Sequence, residues 1–266
     1  MLVPTNGCFG GRMKSMAERA FDEHQPDVFG FVHAETSTDV LQPNVSELTD
    51  IAHAHDALVF ADCVTSFGGD EMRVDEWGVG VACAGPQKCL SCPPGASPLA
   101  LSDRAMDEVL DRDDRPRSWY LDLSLLEGYW GDDRSYHRTA PVTNVYALRE
   151  ALRLVGEEGI EERWARHREV TGDLKAGLQD LGIEMNAPDE YWLPSLNAVR
   201  VPDGVDDGAV IDRLLAEYDT EIASGLGDLE GDICRIGCMG YSARPRNVEY
   251  VLAALEDALA AQGHEP

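Results

Sequence analysis

ALVFADC (57–63) and VGVACAGPQK (79–88) decide the fold of this chain. Each stretch is a short apolar run that leads into polar residues, Asp62 in the first and Gln87 with Lys88 in the second. Continuous rather than alternating apolar character is typical of strands covered on both faces, as in a parallel sheet. The two stretches therefore predict buried strands whose ends carry a carboxylate and an amine.

Apolar runs alternate with helical patterns through the rest of the first half. MLVPT (1–5), VFGFVHA (28–34) and SPLALS (97–102) predict strands, and helices are expected within residues 12–24 and over 45–55. This βαβ rhythm predicts an α/β fold with a mostly parallel sheet.

The second half has a different pattern. Residues 142–181 show helical periodicity, with breaks expected at Gly156 and Gly159. Strands are then predicted in LNAVRVP (196–202), EIASG (221–225) and ICRIGCMG (233–240), and helices over 209–218 and 245–261. The order β-α-β-β-α predicts a small two-layer α+β domain. We therefore expect a large domain over 1–141, a bridging helical segment over 142–182 and a small C-terminal domain over 183–266.

The composition is strongly acidic. Forty-nine Asp and Glu residues stand against 22 Lys and Arg, which gives a formal net charge of -27. This charge argues against nucleic acid or an anionic membrane as a partner, and favours small molecules or a second copy of the chain. The lysines are only Lys14, Lys88 and Lys175, a usage that indicates a halophilic source. Neither a signal peptide nor a membrane-spanning run is visible, so a cytoplasmic protein is predicted.

The seven cysteines are expected to be reduced thiols. Cys89 with Cys92, and Cys234 with Cys238, have spacings that could supply a four-thiolate metal site. Pro93 follows the first pair directly and the second pair lies in a predicted strand, so small buried side chains are the favoured interpretation. No metal site is predicted.

Ligands of parallel sheets bind beyond the carboxyl ends of the strands, where Thr36, Asp62, Gln87 and Lys88 are expected to converge. An amine and a carboxylate are what pyridoxal phosphate requires, since the amine binds its aldehyde and the anion keeps its pyridine nitrogen protonated. Singly, Asp62 could cap a turn and Lys88 could be a surface lysine. The scarcity of lysine favours a functional role for Lys88.

Longer motifs surround these residues. HAETSTDVLQP (33–43), ADCVTSFGG (61–69) and AGPQKCLSCPPGASPLALSDRA (84–105) resemble the class V aminotransferases of fold type I, and in particular the alanine-glyoxylate, serine-pyruvate and serine-glyoxylate branch. The resemblance continues through YHRTAPVTNVYALREAL (136–152) and CRIGCMG (234–240), so it covers nearly the whole chain in the family's order.

The resemblance assigns roles residue by residue. It implies that Lys88 binds pyridoxal 5'-phosphate covalently and acts as the catalytic base, that Asp62 pairs with the pyridine nitrogen, and that Gln87 and Thr36 contact the cofactor.

Three further roles follow from the same resemblance. Tyr136 and Thr139 are implied to bind the cofactor phosphate in the neighbouring subunit's site, which implies a homodimer with shared active sites. Arg235 is implied to bind the substrate carboxylate, a group that a guanidinium fork grips well. Without the family frame, Arg235 could be a surface charge on an edge strand, and Tyr136 and Thr139 could simply pack at an interface.

The sequence also departs from the family pattern. The family's Gly-rich phosphate-binding turn lies upstream of the segment matching Met1, so an N-terminally truncated large domain is expected. NGCFGG (6–11) is a weaker candidate for binding an anion. Asp39 stands where the family usually has glycine, which predicts a strained backbone angle there.

The predicted function is transfer of an amino group from alanine or serine to glyoxylate or pyruvate. Two alternatives stay open at this stage. One is a class V lyase such as a cysteine desulfurase, which needs a mobile reactive cysteine. The other is a catalytically impaired homologue that lacks the phosphate cup.

Overall fold

The secondary structure of the computed structural model covers residues 18–264. After a helix that includes residues 18–24, the first half contains β1 (Val28–Val32), β2 (Ala34–Glu35), β3 (Val40–Leu41), α1 (Val45–Ala54), β4 (Leu58–Asp62), β5 (Val81–Cys83), β6 (Leu99–Leu101), α2 (Asp103–Leu110) and α3 (Leu123–Trp130). The second half contains α4 (Val142–Glu158), α5 (Ile160–Asp180), β7 (Leu196–Arg200), α6 (Asp207–Tyr218), β8 (Ala223–Ser224), β9 (Ile233–Gly237) and α7 (Pro245–Ala260). The predicted MLVPT strand and NGCFGG turn lie outside the described residues.

The main sheet has the strand order β1-β4-β5-β6. β1, β4 and β5 are parallel, and β6 pairs antiparallel with β5. The mostly parallel α/β sheet predicted from the apolar runs is therefore confirmed. The edge strand β6 is not covered on both faces, since its neighbouring residues Leu99 and Ala100 point to opposite faces and both are exposed.

The core of this sheet is built from aromatic and branched side chains. Phe29 and Phe31 of β1, Val59 of β4, and Leu48 and Ile51 of α1 are all buried in one cluster. Burying a side chain of this size stabilises a fold by roughly 1.5–3 kcal/mol. The cluster fixes α1 against the sheet and so fixes where each strand ends.

The long helices differ from prediction at one glycine. α4 continues through Gly156 and ends at Glu158, so the break predicted at Gly156 is wrong. A glycine in a helix interior costs only about 1 kcal/mol relative to alanine, too little to end a helix of this length. Gly159 does separate α4 from α5, and its φ of 88° is one that glycine adopts without strain.

The second sheet is antiparallel, in the order β7-β9-β8. Leu174 of α5, Leu214 of α6, Ile236 of β9 and Leu255 of α7 are buried together against it. The predicted β-α-β-β-α order and two-layer arrangement are confirmed. The domain limits at 141 and 182 stay predictions. Among residues 18–264, no helix is both long enough and apolar enough to cross a membrane.

Candidate active site

Three parallel strands end side by side. The register pairs Val32 of β1 with Asp62 of β4, and Asp62 with Cys83 of β5. Beyond these ends, the backbone N–H of Val64 donates to Asp62 Oδ1 at 2.9 Å, which fixes the carboxylate at the rim of the sheet. The segments that carry Thr36 and Asp62 therefore begin at neighbouring strand ends.

Lys88 lies in a tight turn just beyond β5. The Gly85 N–H donates to the Val64 carbonyl at 3.2 Å, and the Lys88 N–H donates to the Gly85 carbonyl at 3.3 Å. Lys88 is half-buried and Gln87 is exposed. In the described part of the chain the Lys88 amine has no ion-pair partner, although the protein is rich in carboxylates. The turn thus presents a free amine next to the segment that contains Asp62.

Gly85 allows the loops after β4 and β5 to approach closely. A Cβ atom at this position would lie 2.7 Å from Val64 Cγ1 and 3.0 Å from the Val64 carbonyl oxygen. Any larger residue would separate the turn of Lys88 from the loop of Asp62.

Thr36 and Arg235 are brought together from distant parts of the chain. Arg235, on β9, donates through Nη1 to the Thr36 carbonyl at 3.5 Å and through Nε to the Ser224 carbonyl at 2.9 Å. The guanidinium is partly buried, and within residues 18–264 it pairs with no carboxylate. A fixed cation without a counter-ion is suited to bind an anionic group from outside the chain.

Tyr136 and Thr139 lie apart from this group. Their hydroxyl groups are 3.0 Å from each other, and Tyr136 is 76% exposed. No hydrogen bond among the described residues joins either side chain to Lys88, Asp62 or Arg235. In one chain, this pair of the seven predicted site residues therefore lies on the surface.

His33 begins the hairpin that carries Thr36. Its N–H donates to the Asp62 carbonyl at 2.9 Å, and its ring packs edge-on to Trp77. Burial lowers the pKa of His33 to about 4, so the ring is neutral at ordinary pH. These contacts tie the hairpin of β2 and β3 to the strand of Asp62.

Asp39 closes the hairpin in an unusual environment. Its φ is 65°, the left-handed region expected for the glycine that it replaces, and its side chain is fully buried. Asp39 Oδ2 accepts the Ala198 N–H at 3.1 Å, whereas Oδ1 has no partner. Burial raises the pKa of Asp39 to about 8, against the lowering effects of the backbone N–H groups of Ala198 and Leu193 and of the charge of Lys175.

Two contributors were not found by sequence reasoning. Arg163 and His167, both on α5, are buried and bind backbone groups near the turn of Lys88. Their spacing of four residues places them on one face of the helix. This spacing is the only local signal in the sequence that the two residues bind the same part of the fold.

The four cysteines whose spacing could suit a metal lie in buried positions. Cys89, Cys92, Cys234 and Cys238 are buried free thiols, and no cluster of three or more potential ligands is found over 18–264. Burial raises the pKa of Cys89 to about 12.

The sequence is similar to those of known proteins. The family model described as aminotransferase class-V matches residues 11–235. The (S)-ureidoglycine-glyoxylate transaminase of Bacillus subtilis is 38% identical over 97% of this chain and 72% of its own length. The alanine-glyoxylate aminotransferase of Felis catus is 38% identical over 91% of this chain and 59% of its own length.

The fold is also similar to that of a solved structure. The alanine-glyoxylate aminotransferase of Nostoc sp. superposes with a TM-score of 0.90 at 40% identity, over 97% of this chain and 66% of that one. The chain therefore spans about three fifths to seven tenths of the length of the relatives it matches.

The raised pKa of Asp39 predicts a pH-dependent stability. Between about pH 4 and pH 8 the folded state keeps a proton that the unfolded state releases, so this contribution is full at low pH and is lost as pH rises. Asp39→Asn should therefore gain stability relative to wild type, by up to about 1.4 kcal/mol per pH unit in this window. Urea unfolding from about pH 5 to pH 9 measures the difference. Asp203→Asn, at an exposed position, is the control. If the difference in unfolding free energy between Asp39→Asn and wild type stayed constant with pH, the raised pKa of Asp39 would be contradicted.

Proposed function

The chain belongs to the class V aminotransferase family, and from this premise we propose that it moves an amino group from alanine or serine to glyoxylate or pyruvate. The observation that carries the proposal is the free Lys88 amine in the turn beyond β5, next to the rim that presents the Asp62 carboxylate. The family's cofactor is pyridoxal 5'-phosphate, and this pair of groups fits it.

The residues at the rim supply complementary contacts for that cofactor. Lys88 would bind its aldehyde, the Asp62 carboxylate would keep its pyridine nitrogen protonated, and Thr36 and Gln87 would contact its edges. When bound, the cofactor supplies an electron sink for the substrate's α-carbon. Asp62 is suited to its part because one of its oxygens is already fixed by the Val64 N–H.

The chain's own groups then bind the substrate and move a proton. Arg235 would grip the substrate carboxylate, since its guanidinium is anchored by two backbone carbonyls and lacks a carboxylate partner in the described chain. The Lys88 Nζ would take the proton from the substrate α-carbon, a role that requires the neutral amine. Binding and proton transfer are thus assigned to two different side chains.

The acceptor is better supported than the donor. The relatives from Bacillus subtilis and Felis catus are both named for glyoxylate, while their names give ureidoglycine and alanine as donors. We therefore place glyoxylate first as acceptor and keep alanine or serine as the donor. Serine with pyruvate is a further pair within the same proposal.

A cysteine desulfurase activity is disfavoured by the environment of the thiols. That reaction needs an accessible and easily ionised cysteine near the cofactor. Cys89 and Cys92, the cysteines next to Lys88 in sequence, are 0% and 6% exposed, and burial raises the pKa of both. Neither is suited to attack a substrate. The impaired homologue remains the alternative that cofactor binding must test.

A homodimer is supported by apolar surface on one stretch of the chain. Ten of the 16 exposed large hydrophobic residues of the described chain lie between Trp119 and Leu154. α3 buries none of its residues and α4 buries only Ala151. Exposed apolar surface of this kind marks interaction sites. We propose that a second copy covers it and that Tyr136 and Thr139 bind the cofactor phosphate in that copy.

The acidic composition supports a cytoplasmic protein from a high-salt source. With a net charge of -27, the folded state repels itself, and mobile ions would screen this repulsion. Dimerisation brings two such chains together and increases the repulsion further.

The role of Lys88 can be tested by reductive trapping of the cofactor. Borohydride treatment of the loaded protein followed by peptide mapping should give the adduct on Lys88. Lys88→Ala should lose the adduct and at least about a hundredfold in transamination rate. Lys175→Ala, in which a lysine paired with Asp189 is removed, is the matched control and should keep both. An adduct on another lysine would overturn the assignment, and none on the folded wild type would favour the impaired homologue.

The shared site can be tested by mixing two inactive variants. Lys88→Ala lacks the base, and Tyr136→Ala should bind the cofactor phosphate weakly. Subunit exchange between them should restore activity, because each mixed dimer then has one site with Lys88 from one chain and Tyr136 from the other. Lys88→Ala mixed with a Lys88→Ala, Tyr136→Ala double variant is the control and should stay inactive. Failure to restore activity despite demonstrated exchange would contradict the shared site.

The response to salt can be measured directly. Raising potassium chloride from about 0.1 M to above 1 M should raise the melting temperature, because the Debye length falls from about 10 Å to about 3 Å. Equal concentrations of a neutral osmolyte serve as the control. A melting temperature that falls with salt would argue against a high-salt source.

A further inference from the structure

One face of α5 contacts three segments that carry predicted site residues. Arg163, Arg166 and His167 lie on this face and bind backbone groups of residues 68, 89, 240 and 243. These groups follow Asp62, Lys88 and Arg235 in the sequence. No other helix in the described chain bonds to all three segments, so α5 is where they are linked.

Arg163 links the first two segments. Its Nε donates to the Gly68 carbonyl at 2.9 Å and its Nη2 donates to the Cys89 carbonyl at 2.6 Å. Gly68 closes the loop after Asp62, and Cys89 directly follows Lys88. The guanidinium is a rigid planar fork, so the two bonds fix the spacing of the two loops in a way that a lysine cannot reproduce.

The charge of Arg163 is compensated inside the protein. The residue is 7% exposed, and its Nη1 donates to Glu158 Oε2. Glu158 also accepts a hydrogen bond from Arg166, which in turn donates to the carbonyl oxygens of Gly240 and Ala243. Each of the three guanidinium nitrogens of Arg163 thus donates to an acceptor, one carboxylate and two carbonyls, which holds the group in one orientation and suits a positioning role.

Close packing leaves the turn of Lys88 little freedom. A Cβ at Gly69 would collide with the Cys89 side chain, and one at Gly240 would collide with Ser91 Oγ and lie 2.7 Å from the Cys89 carbonyl. The Tyr241 N–H also donates to Ser91 Oγ at 2.7 Å. The residues after Lys88 are thus enclosed on two sides.

His167 extends the link to the strand of Arg235. The Gly240 N–H donates to His167 Nε2 at 2.8 Å, so Nδ1 carries the proton and donates to the Arg163 carbonyl at 2.8 Å. Burial lowers the pKa of His167 to about 4, so this neutral tautomer persists at ordinary pH.

We propose that Arg163 is a positioning residue that sets the spacing between the Asp62 loop and the Lys88 turn, with His167 joining both to the strand of Arg235. The proposal rests on the proposed function for its catalytic meaning. Arg163 touches no reacting atom. It acts through two backbone carbonyls, each within a few residues of a group that would contact the cofactor.

The test uses Arg163→Lys, which keeps the charge opposite Glu158 and loses the fork. Arg104→Lys is the matched control, since Arg104 also bonds a backbone carbonyl and a carboxylate, both of Asp56, but lies exposed on α2. Amide hydrogen exchange of the cofactor-free protein should rise about tenfold or more over residues 63–70 and 88–92 in Arg163→Lys and stay unchanged in the control. In the loaded protein, kcat should fall about tenfold or more with little change in KM.

A second readout is the pH dependence of the cofactor's absorbance, which reports the environment of the Lys88 linkage. Its apparent pKa should shift in Arg163→Lys and not in Arg104→Lys. Exchange that stays at the wild-type level in both segments would overturn the proposal. So would a rise spread over the whole chain, including α6 and α7, because Arg163 would then be a general stabiliser. If the wild type binds no cofactor, the proposed function fails, and the exchange data still decide whether Arg163 spaces the two loops.

Discussion

Parallel pairing of β1, β4 and β5 is the constraint on which the site depends. Because the strands run the same way, their carboxyl ends meet at one edge, and the pairing of Val32 with Asp62 and of Asp62 with Cys83 leaves no freedom in which residues are neighbours. A slip by one residue would turn Asp62 to the other face of the sheet. The buried aromatic cluster of β1 therefore matters to the chemistry, since it fixes the register that places the carboxylate.

Lys88 and Arg235 differ from the other cations of the described chain in their surroundings. Only eight of the 20 Lys and Arg residues over 18–264 pair with a carboxylate, so the lack of a partner does not by itself mark a site. Lys88 and Arg235 have no carboxylate partner among the described residues. A partly buried cation without a counter-ion is costly, and this cost is offset when an anionic or carbonyl-bearing ligand arrives. Arg138 and Arg244 are also partly buried without a carboxylate, but they stack on tyrosine rings, whereas Lys88 and Arg235 do not. Partial burial without any such partner is thus a better indication of the site than the number of charges in it.

Most strands and helices could be predicted because the signals for them are local. Continuous apolar runs predicted β1, β4 and β5, and the polar residues after those runs predicted Asp62 and Lys88. The break at Gly156 was wrong because one glycine does not outweigh the backbone hydrogen bonds of a long helix. The partners of Arg163 lie 95 and 74 residues away in sequence, so no local pattern could have revealed them.

At Asp39, too, the local backbone conformation could be predicted from the sequence and the long-range contact could not. Its backbone strain could be predicted from the glycine that it replaces, and the left-handed φ agrees. Its burial could not, because the partner is the Ala198 N–H on a strand of the second sheet. The same seam contains the contact of Arg235 with Thr36, so a substitution in a hairpin turn reaches the residues proposed to bind substrate and cofactor.

Two features of the single chain, its unpaired cations and its exposed apolar surface, indicate that it binds groups outside itself. The free amine and guanidinium suit small ligands, and the exposed apolar residues between Trp119 and Leu154 suit a large one. The segment from Tyr136 to Thr139 lies between α3, which buries none of its residues, and α4, which buries one of 17. A second copy that covers these helices would also receive Tyr136 in its site. Covering the apolar surface and completing the phosphate contacts would then be the same event, so cofactor affinity and dimer formation should be thermodynamically linked.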